Sequence, residues 1–308
     1  MIPLVVLVLF FGYQPEKLGA SVFLLTYTVL GGLPLLYFVC SHASSSVLVL
    51  TDLTRLSVYL VSLAFFIKSP IYYFHAWLPK AHTEAPLSGS ILLAGVMLKF
   101  GGYGILLLAP SFSSQITLYF YLTLTGGVLC SIICLRQWDC KSLVAYSSIV
   151  HIGVVSLGAL LCTELGWWVS VGMILRHRFV SPLLFAVCFE LYVSTHSRAL
   201  SCSYTRSTSP SLSLIIALLL GVNIGTPPFL RFWVEVNLYF SLADNFSIGL
   251  LPLLSCSFLV LCYCLCLYLT VFRAAKSPVN SNGYVNPSYL PGLAFSLFFV
   301  PASSLFAF

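Results

Sequence analysis

The sequence predicts an all-α polytopic membrane protein, and three observations carry that prediction. Apolar residues make up 59% of the 308-residue chain and charged residues 7%, with a mean hydropathy of +1.02, far from the balance of a soluble globular domain. The apolar residues come in runs close to the roughly 20 that cross a bilayer as a helix, separated by short polar breaks. The runs lack the period-two alternation over roughly 10-residue segments that marks a membrane barrel, so helices must satisfy the backbone. The breaks leave room for nine full spans behind a leading fragment too short to cross.

Charge and cysteine usage exclude several function classes. The formal charge of +6 comes from 14 Lys and Arg against 8 Asp and Glu, scattered along the chain rather than gathered on one polar face. Nucleic-acid binding needs the clustered pattern, whereas loop cations that set topology need only the scattered one. Eleven cysteines lie mostly within apolar runs and form no CxxC pair, so they read as small packing groups. Nothing resembles an iron–sulfur, haem, flavin or nucleotide site, and neither cofactor nor metal is expected in this chain.

Taken in order, the chain opens on Met1 to Phe11, apolar but short, with neither the basic start nor the cleavage site of a signal peptide. A first span from about Ala20 to Cys40 leads into a polar loop, His42 to Thr54. The next span, about Leu56 to Phe74, carries Lys68 two residues before Pro70. Proline removes a backbone donor and clashes with the preceding turn, so this helix should break near Lys68, with Tyr72 on the same face four residues on. Ionised groups in hydrocarbon cost roughly 2.5 to 3.5 kcal/mol on insertion scales and so face a bundle interior or wet cavity, which makes Lys68 a functional candidate. His75 to Pro86 reads as an amphipathic connector rich in His75, Lys80, His82 and Glu84. It is either a proton path, since imidazole titrates near neutral pH, or a polar structural staple; the spacing of His75, His82 and Glu84 fits no standard metal site.

The span from about Leu87 to Leu108 carries Lys99 near its middle, roughly 15 Å of helix from either interface. Gly101, Gly102 and Gly104 beyond it suit close helix packing. Another span, about Ile116 to Cys134, is followed by Arg136, Asp139 and Lys141, expected as interfacial anchors. His151 follows inside an apolar run, with Ser147 and Ser148 behind it on one helix face, as a relay member or a satisfied core residue. Glu164 and Trp167-Trp168 mark an interface before the span from about Val169 to Tyr192, which holds Arg176-His177-Arg178. The two arginines need acids, water or a helix end nearby. An exposed loop at Thr195 to Arg198 and a Ser/Thr-rich connector to Ser211 precede a second broken helix, about Leu212 to Leu242, split at Gly225-Thr226-Pro227-Pro228. Glu235 lies seven residues after Pro228 with Arg231 four before it, either an intrahelical pair or a poised proton site. Two further spans, about Ile248 to Phe272 and Tyr289 to Phe306, complete the chain.

Several of these stretches resemble a known family. Lys68-Ser69-Pro70 followed by His75-x-Trp77-Leu78-Pro79-x-Ala81-His82-x-Glu84-Ala85-Pro86, and Leu98-Lys99-x-Gly101-Gly102-Tyr103-Gly104, are similar to the subunit-four type of antiporter-like membrane subunit of mitochondrial proton-pumping NADH:ubiquinone oxidoreductase, complex I. Leu135 to Leu143, Ala145 to Ile149 with His151, and Pro227 to Glu235 extend the resemblance, while Arg176, Arg178 and Arg231 depart from the small or polar residues usual in the family.

The resemblance implies an antiporter-like inverted-repeat bundle with two proline-broken helices, N-terminally truncated relative to the family. Residues 1–109 are then the remnant of a first half, 110–272 a second half, and 273–308 a C-terminal transmembrane helix. The chain begins after the family's fifth-helix glutamate, the expected partner of Lys68, so a neighbouring chain or separate fragment is expected to supply a carboxylate there. The implied function is proton translocation in the mitochondrial inner membrane, coupled to NADH:ubiquinone electron transfer. Lys68, Lys99 and Glu235 form its central axis, with His151, His177, His75, His82 and Glu84 linking that axis to the aqueous sides. The expected partners are the other membrane-arm subunits, lipids and protons. A subunit of a cation/proton antiporter and a non-pumping scaffold of the membrane arm are the two rival readings.

Overall fold

The computed structural model describes residues 2–12, 16–41, 55–111, 116–200, 210–227 and 229–273, and the extended elements among them are all helical. They are α1 (Ile2–Phe11), α2 (Lys17–Ser41), α3 (Arg55–Lys68), α4 (Trp77–Glu84), α5 (Leu87–Leu92), a π turn at Leu93–Met97, α6 (Leu98–Leu108), α7 (Ile116–Leu135), α8 (Cys140–Leu160), α9 (Glu164–Thr195), α10 (Pro210–Ile224), α11 (Leu230–Asn245) and α12 (Leu250–Arg273). Six helical stretches among the described residues are long and apolar enough to cross a membrane. The expected Tyr289 to Phe306 span, the His42 to Thr54 loop, and Pro228 lie outside the described residues.

Both predicted breaks are present. Pro70 lacks the N–H that would continue α3, and the ladder loosens there: Ser69 N still reaches Phe65 O at 2.8 Å, but Ile71 N reaches Phe66 O at 3.4 Å, one residue out of α-helical register. The carbonyl of Ile67 accepts instead from the indole Nε1 of Trp77 at 3.1 Å, so the buried first residue of α4 caps the end of α3. The stretch expected as a connector is therefore largely a short helix. Tyr72 lies beyond the end of α3 rather than on its face and stacks on His75, ring centroids 5.0 Å apart. The second break separates α10 from α11. Gly225 takes φ +84°, a conformation L side chains rarely adopt, and any Cβ there would stand 3.0 Å from Cγ and Cδ of Arg231.

The bundle is organised around α8. About 94% of its most apolar window is buried, against 17% for α2 and 33% for the segment containing α12, so α8 is the central column and the other two are outer walls. α4, α6, α7 and α9 all pack on it. On α12 the exposed Leu251, Leu254, Phe258, Leu261, Leu265 and Leu269 recur at helical spacing, an apolar outer stripe suited to hydrocarbon.

The α8–α9 crossing sets the register of the polar interior. Thr163 caps α9, its Oγ1 accepting from Gly166 N at 3.0 Å, and the chain turns back tightly enough that a Cβ on Gly158 would meet Ser170 Oγ at 2.6 Å. Ser170 Oγ donates to Val155 O across the contact at 2.9 Å. Small residues at such a crossing let two backbones approach closely. Two antiparallel helices keep residue pairs of constant sum opposite one another. Gly158 faces Ser170, and seven residues, or about two turns, back on α8 and onward on α9 bring His151 opposite His177.

Candidate functional site

Lys99 stands at one end of the site, half-buried on α6. The helix through it is not continuous: Leu93–Met97 widens into a π turn, and Lys99 Nζ folds back to donate to Ala94 O within that turn. The same amine lies 3.1 Å from Nδ1 of His177 on α9. An ammonium has donors only, so in its charged form Lys99 requires an Nδ1 lone pair and places the His177 ring proton on Nε2. Gly101 holds this segment close to the first break, since a Cβ there would come within 2.6 Å of Ser69 N.

From His177 the polar groups continue inward. The ring of His151 lies edge-on to it, centroids 5.7 Å apart, and His151 Nε2 is 2.9 Å from Oδ1 of Asn223, near the C-terminus of α10. Arg176 donates to the same oxygen at 2.8 Å and to Val222 O at 3.0 Å. His151 Nδ1, His177 Nε2, Arg176 Nε and Ser181 Oγ are buried without a hydrogen-bond partner among the described residues, and these four residues line one small cavity with Ser148 and Asn223. Its volume of about 10 Å³ is close to the least that admits a water. Ser147 and Ser148, expected behind His151 as relay partners, instead donate to the carbonyls of Val144 and Ala145 on their own helix. Arg176 meets its expected requirement through a helix end rather than an acid, whereas Arg178 is exposed.

Glu235 pairs with Arg231 on α11, Nη2 at 2.5 Å and Nε at 2.6 Å from one carboxylate oxygen. Arg231 is almost wholly buried and lies within electrostatic reach of Arg176 and His151, so the second break joins the same polar interior. The intrahelical pair expected from the sequence is thus formed.

A second cluster stands toward the other end of α8. Glu84, at the end of α4, is paired with Arg198 at 3.8 Å, and Lys141 Nζ donates to Ala85 O at 3.1 Å. Lys141 is 6% exposed, so it is a buried group rather than the interfacial anchor expected, and Arg198 belongs to this cluster rather than to a free loop. His82 is fully buried, stacked on Phe185 with centroids 4.2 Å apart, and within electrostatic reach of both Lys99 and Lys141. Lys80 faces outward over the ring of Phe23.

The structure does not bring every candidate together. Lys68 is half-buried at the end of α3 and makes no ion pair or hydrogen bond among the described residues. His75 packs between Tyr72 and Tyr146 with Nδ1 unpartnered. His75, His82 and Glu84 do not converge: Glu84 pairs with Arg198, while both ring nitrogens of His82 are buried without a hydrogen-bond partner among the described residues. Sequence reasoning missed Asn223, Arg176 as a ligand of it, Lys141 and the π turn. The usable signal was Asn223 itself, an amide in an apolar run two residues before the Gly225 break.

Comparison with known proteins decides the family. A model described as "NADH:quinone oxidoreductase/Mrp antiporter, TM" matches residues 1–261. The chain belongs to this family. Among its relatives, NADH-ubiquinone oxidoreductase chain 4 of Artemia franciscana is 39% identical over 277 residues, covering 87% of this chain and 71% of that protein. The chain 4 of Ceratitis capitata is 40% identical over 281 residues, with 87% and 63% covered, and that of Petromyzon marinus is 33% identical over 308 residues, with 94% and 67% covered. The chain therefore spans about two thirds of the length of these relatives. The antiporter family fold is equally clear in solved structures. A chain of respiratory complex I from Thermus thermophilus superposes with a TM-score of 0.82 at 21% identity, covering 96% of this chain and 67% of that one. A chain of the archaeal membrane-bound sulfane sulfur reductase gives 0.86 at 20%, with 99% and 67% covered. One from the Mrp complex of Dietzia sp. DQ12-45-1b gives 0.74 at 16%, with 91% and 58% covered.

Proposed function

We propose that this chain is an antiporter-like membrane-arm subunit of NADH:ubiquinone oxidoreductase in the mitochondrial inner membrane and moves protons through the interior between α6, α8, α9 and α10. The observation that carries the reading is the run Lys99, His177 and His151, three protonatable groups in sequence with an unpartnered imidazole nitrogen and a water-sized cavity beside them. A protonated amine beside a neutral imidazole is a donor–acceptor pair at hydrogen-bond distance, and histidine accepts and releases protons near neutral pH. A water in the cavity would close the gap between the two rings, which is too wide for direct transfer. Electron transfer takes place elsewhere in the complex and acts here by shifting the charges around Lys99 and the Arg231–Glu235 pair.

The partners on this reading are neighbouring membrane-arm subunits and lipid, with a carboxylate supplied to Lys68 by a neighbouring chain or by a separate fragment. No redox centre is assigned to this chain. The relatives at 33–40% identity are chain 4 of the quinone reductase, which favours that complex over a stand-alone cation antiporter. Replacing Lys99 with Met, and measuring protons translocated per NADH oxidised by the assembled complex, tests the proposal. A lowered ratio or a parallel fall in both rates is expected; an unchanged ratio at full NADH oxidation supports the scaffold reading instead.

A further inference from the structure

We infer that Arg176, acting through Asn223, is a positioning residue that fixes the ring tautomer of His151. The inference concerns the same interior as the proton-transfer proposal and rests on that reading for its purpose, though not for its geometry.

The chemistry of the contacts forces the assignment. A guanidinium has donors and no acceptor. The Asn223 atom 2.8 Å from Arg176 Nη2 must therefore be the carboxamide oxygen, because the amide nitrogen there would oppose donor to donor. The other half of the amide agrees, since Asn223 Nδ2 is 3.3 Å from Cys264 Sγ on α12, a weak acceptor. With the amide so oriented, the atom facing His151 Nε2 at 2.9 Å is again the oxygen, which can only accept. Nε2 of His151 must carry a proton.

His151 Nδ1 is buried and has no hydrogen-bond partner among the described residues. A proton there would make a second buried cation beside Arg176, with its N–H unsatisfied, so the resting ring is the neutral Nε2–H form with its lone pair on Nδ1. A carboxamide oxygen is too weak a base to take the Nε2 proton. Protons then enter and leave His151 through Nδ1 alone for as long as Asn223 keeps this orientation. Without Arg176 the amide could turn over and offer its nitrogen to Nε2, and the lone pair and proton of the ring would exchange places. Arg176 is itself anchored on Val222 O at the end of α10, so the tautomer is tied to the helix end beside the second break.

The test is the magnetic-resonance signature of the His151 ring in the assembled complex carrying 15N-labelled histidine, with His151 assigned by its loss in His151→Gln. A single neutral Nε2–H form is expected in the unmodified complex, and an added Nδ1–H population in Arg176→Met. Should Arg176→Met fail to assemble, two further variants keep the question open to test. Asn223→Asp retains an acceptor-only partner and should keep the Nε2–H form, whereas Asn223→Leu should lose the preference. An Nδ1–H ring or an imidazolium in the unmodified complex overturns the inference, as does a pure Nε2–H form in either Arg176→Met or Asn223→Leu. Because the ring signature is read without any pumping, normal proton translocation in Asn223→Leu would count against the relay and leave the tautomer assignment standing.

Discussion

Lys141 shows how a single side chain can change meaning between sequence and structure. In sequence it stands at the edge of an apolar run beside Arg136 and Asp139, where a lysine normally marks the interface. In the fold its ammonium reaches over to Ala85 O while Glu84 and Arg198 pair next to it, so three charges share one buried patch. The Arg198–Glu84 pair is not sealed, the arginine side chain keeping 15% of its exposure, so its removal should cost less than the full penalty for a lone buried charge. Arg198→Leu is expected to destabilise the subunit by about 1–3 kcal/mol, read as earlier thermal dissociation of the purified complex; an unchanged midpoint would show Glu84 to be satisfied without it. Lys99 and His177 were recognisable from sequence because a charge or an imidazole deep in an apolar run has few other reasons to be there. Asn223 was harder to see, as a lone uncharged amide carries little hydropathy signal, and its partners lie 41 residues or more away in the chain.

At the scale of the element, proline and glycine gave the sequence most of its legibility. Pro70 marked the end of α3, and Gly225 with the prolines after it marked the gap between α10 and α11. What replaced the lost helical bonds could not be read, because the Trp77 indole on Ile67 O depends on how the chain turns back after the break. Trp77→Phe keeps most of the ring volume and removes only that donor, so a loss of roughly 1–3 kcal/mol is expected for the orphaned carbonyl; a change under a few tenths in thermal stability would mean that the break needs no cap. Gly225→Ala should cost about 1–2 kcal/mol for the left-handed backbone alone, with crowding of the Arg231 stem added. Its functional consequence should exceed its effect on stability, because Arg231 is the partner of Glu235. The π turn before Lys99 left no trace in the sequence, since Leu93–Met97 is apolar and helix-compatible on either register.

For the whole molecule, the register of the α8–α9 hairpin decides whether there is an axis at all. The same small residues that let Gly158 and Ser170 touch also put His151 against His177, so widening that crossing should pull the rings apart at a distance of two turns. Gly158→Leu is therefore expected to lower assembly yield and to uncouple whatever complex remains, with overpacking of about 1–3 kcal/mol behind both effects. The two broken helices followed from proline placement, whereas the nine spans expected from hydropathy compare with six stretches of membrane-crossing length among the described residues, and the central position of α8 did not follow, since its sequence is no more apolar than that of the outer α2 or α12. Burial on all sides is a property of the packed bundle and not of any one run.

The proposed proton path runs between Lys99 and His151 by way of the imidazole of His177. The most direct measurement is the ratio of protons translocated to NADH oxidised in assembled complex carrying His177→Phe, which keeps a flat ring in the same place and removes both nitrogens. A lowered ratio, or loss of both activities together, is expected in a complex of normal subunit content. Full NADH oxidation with an undiminished ratio would contradict it.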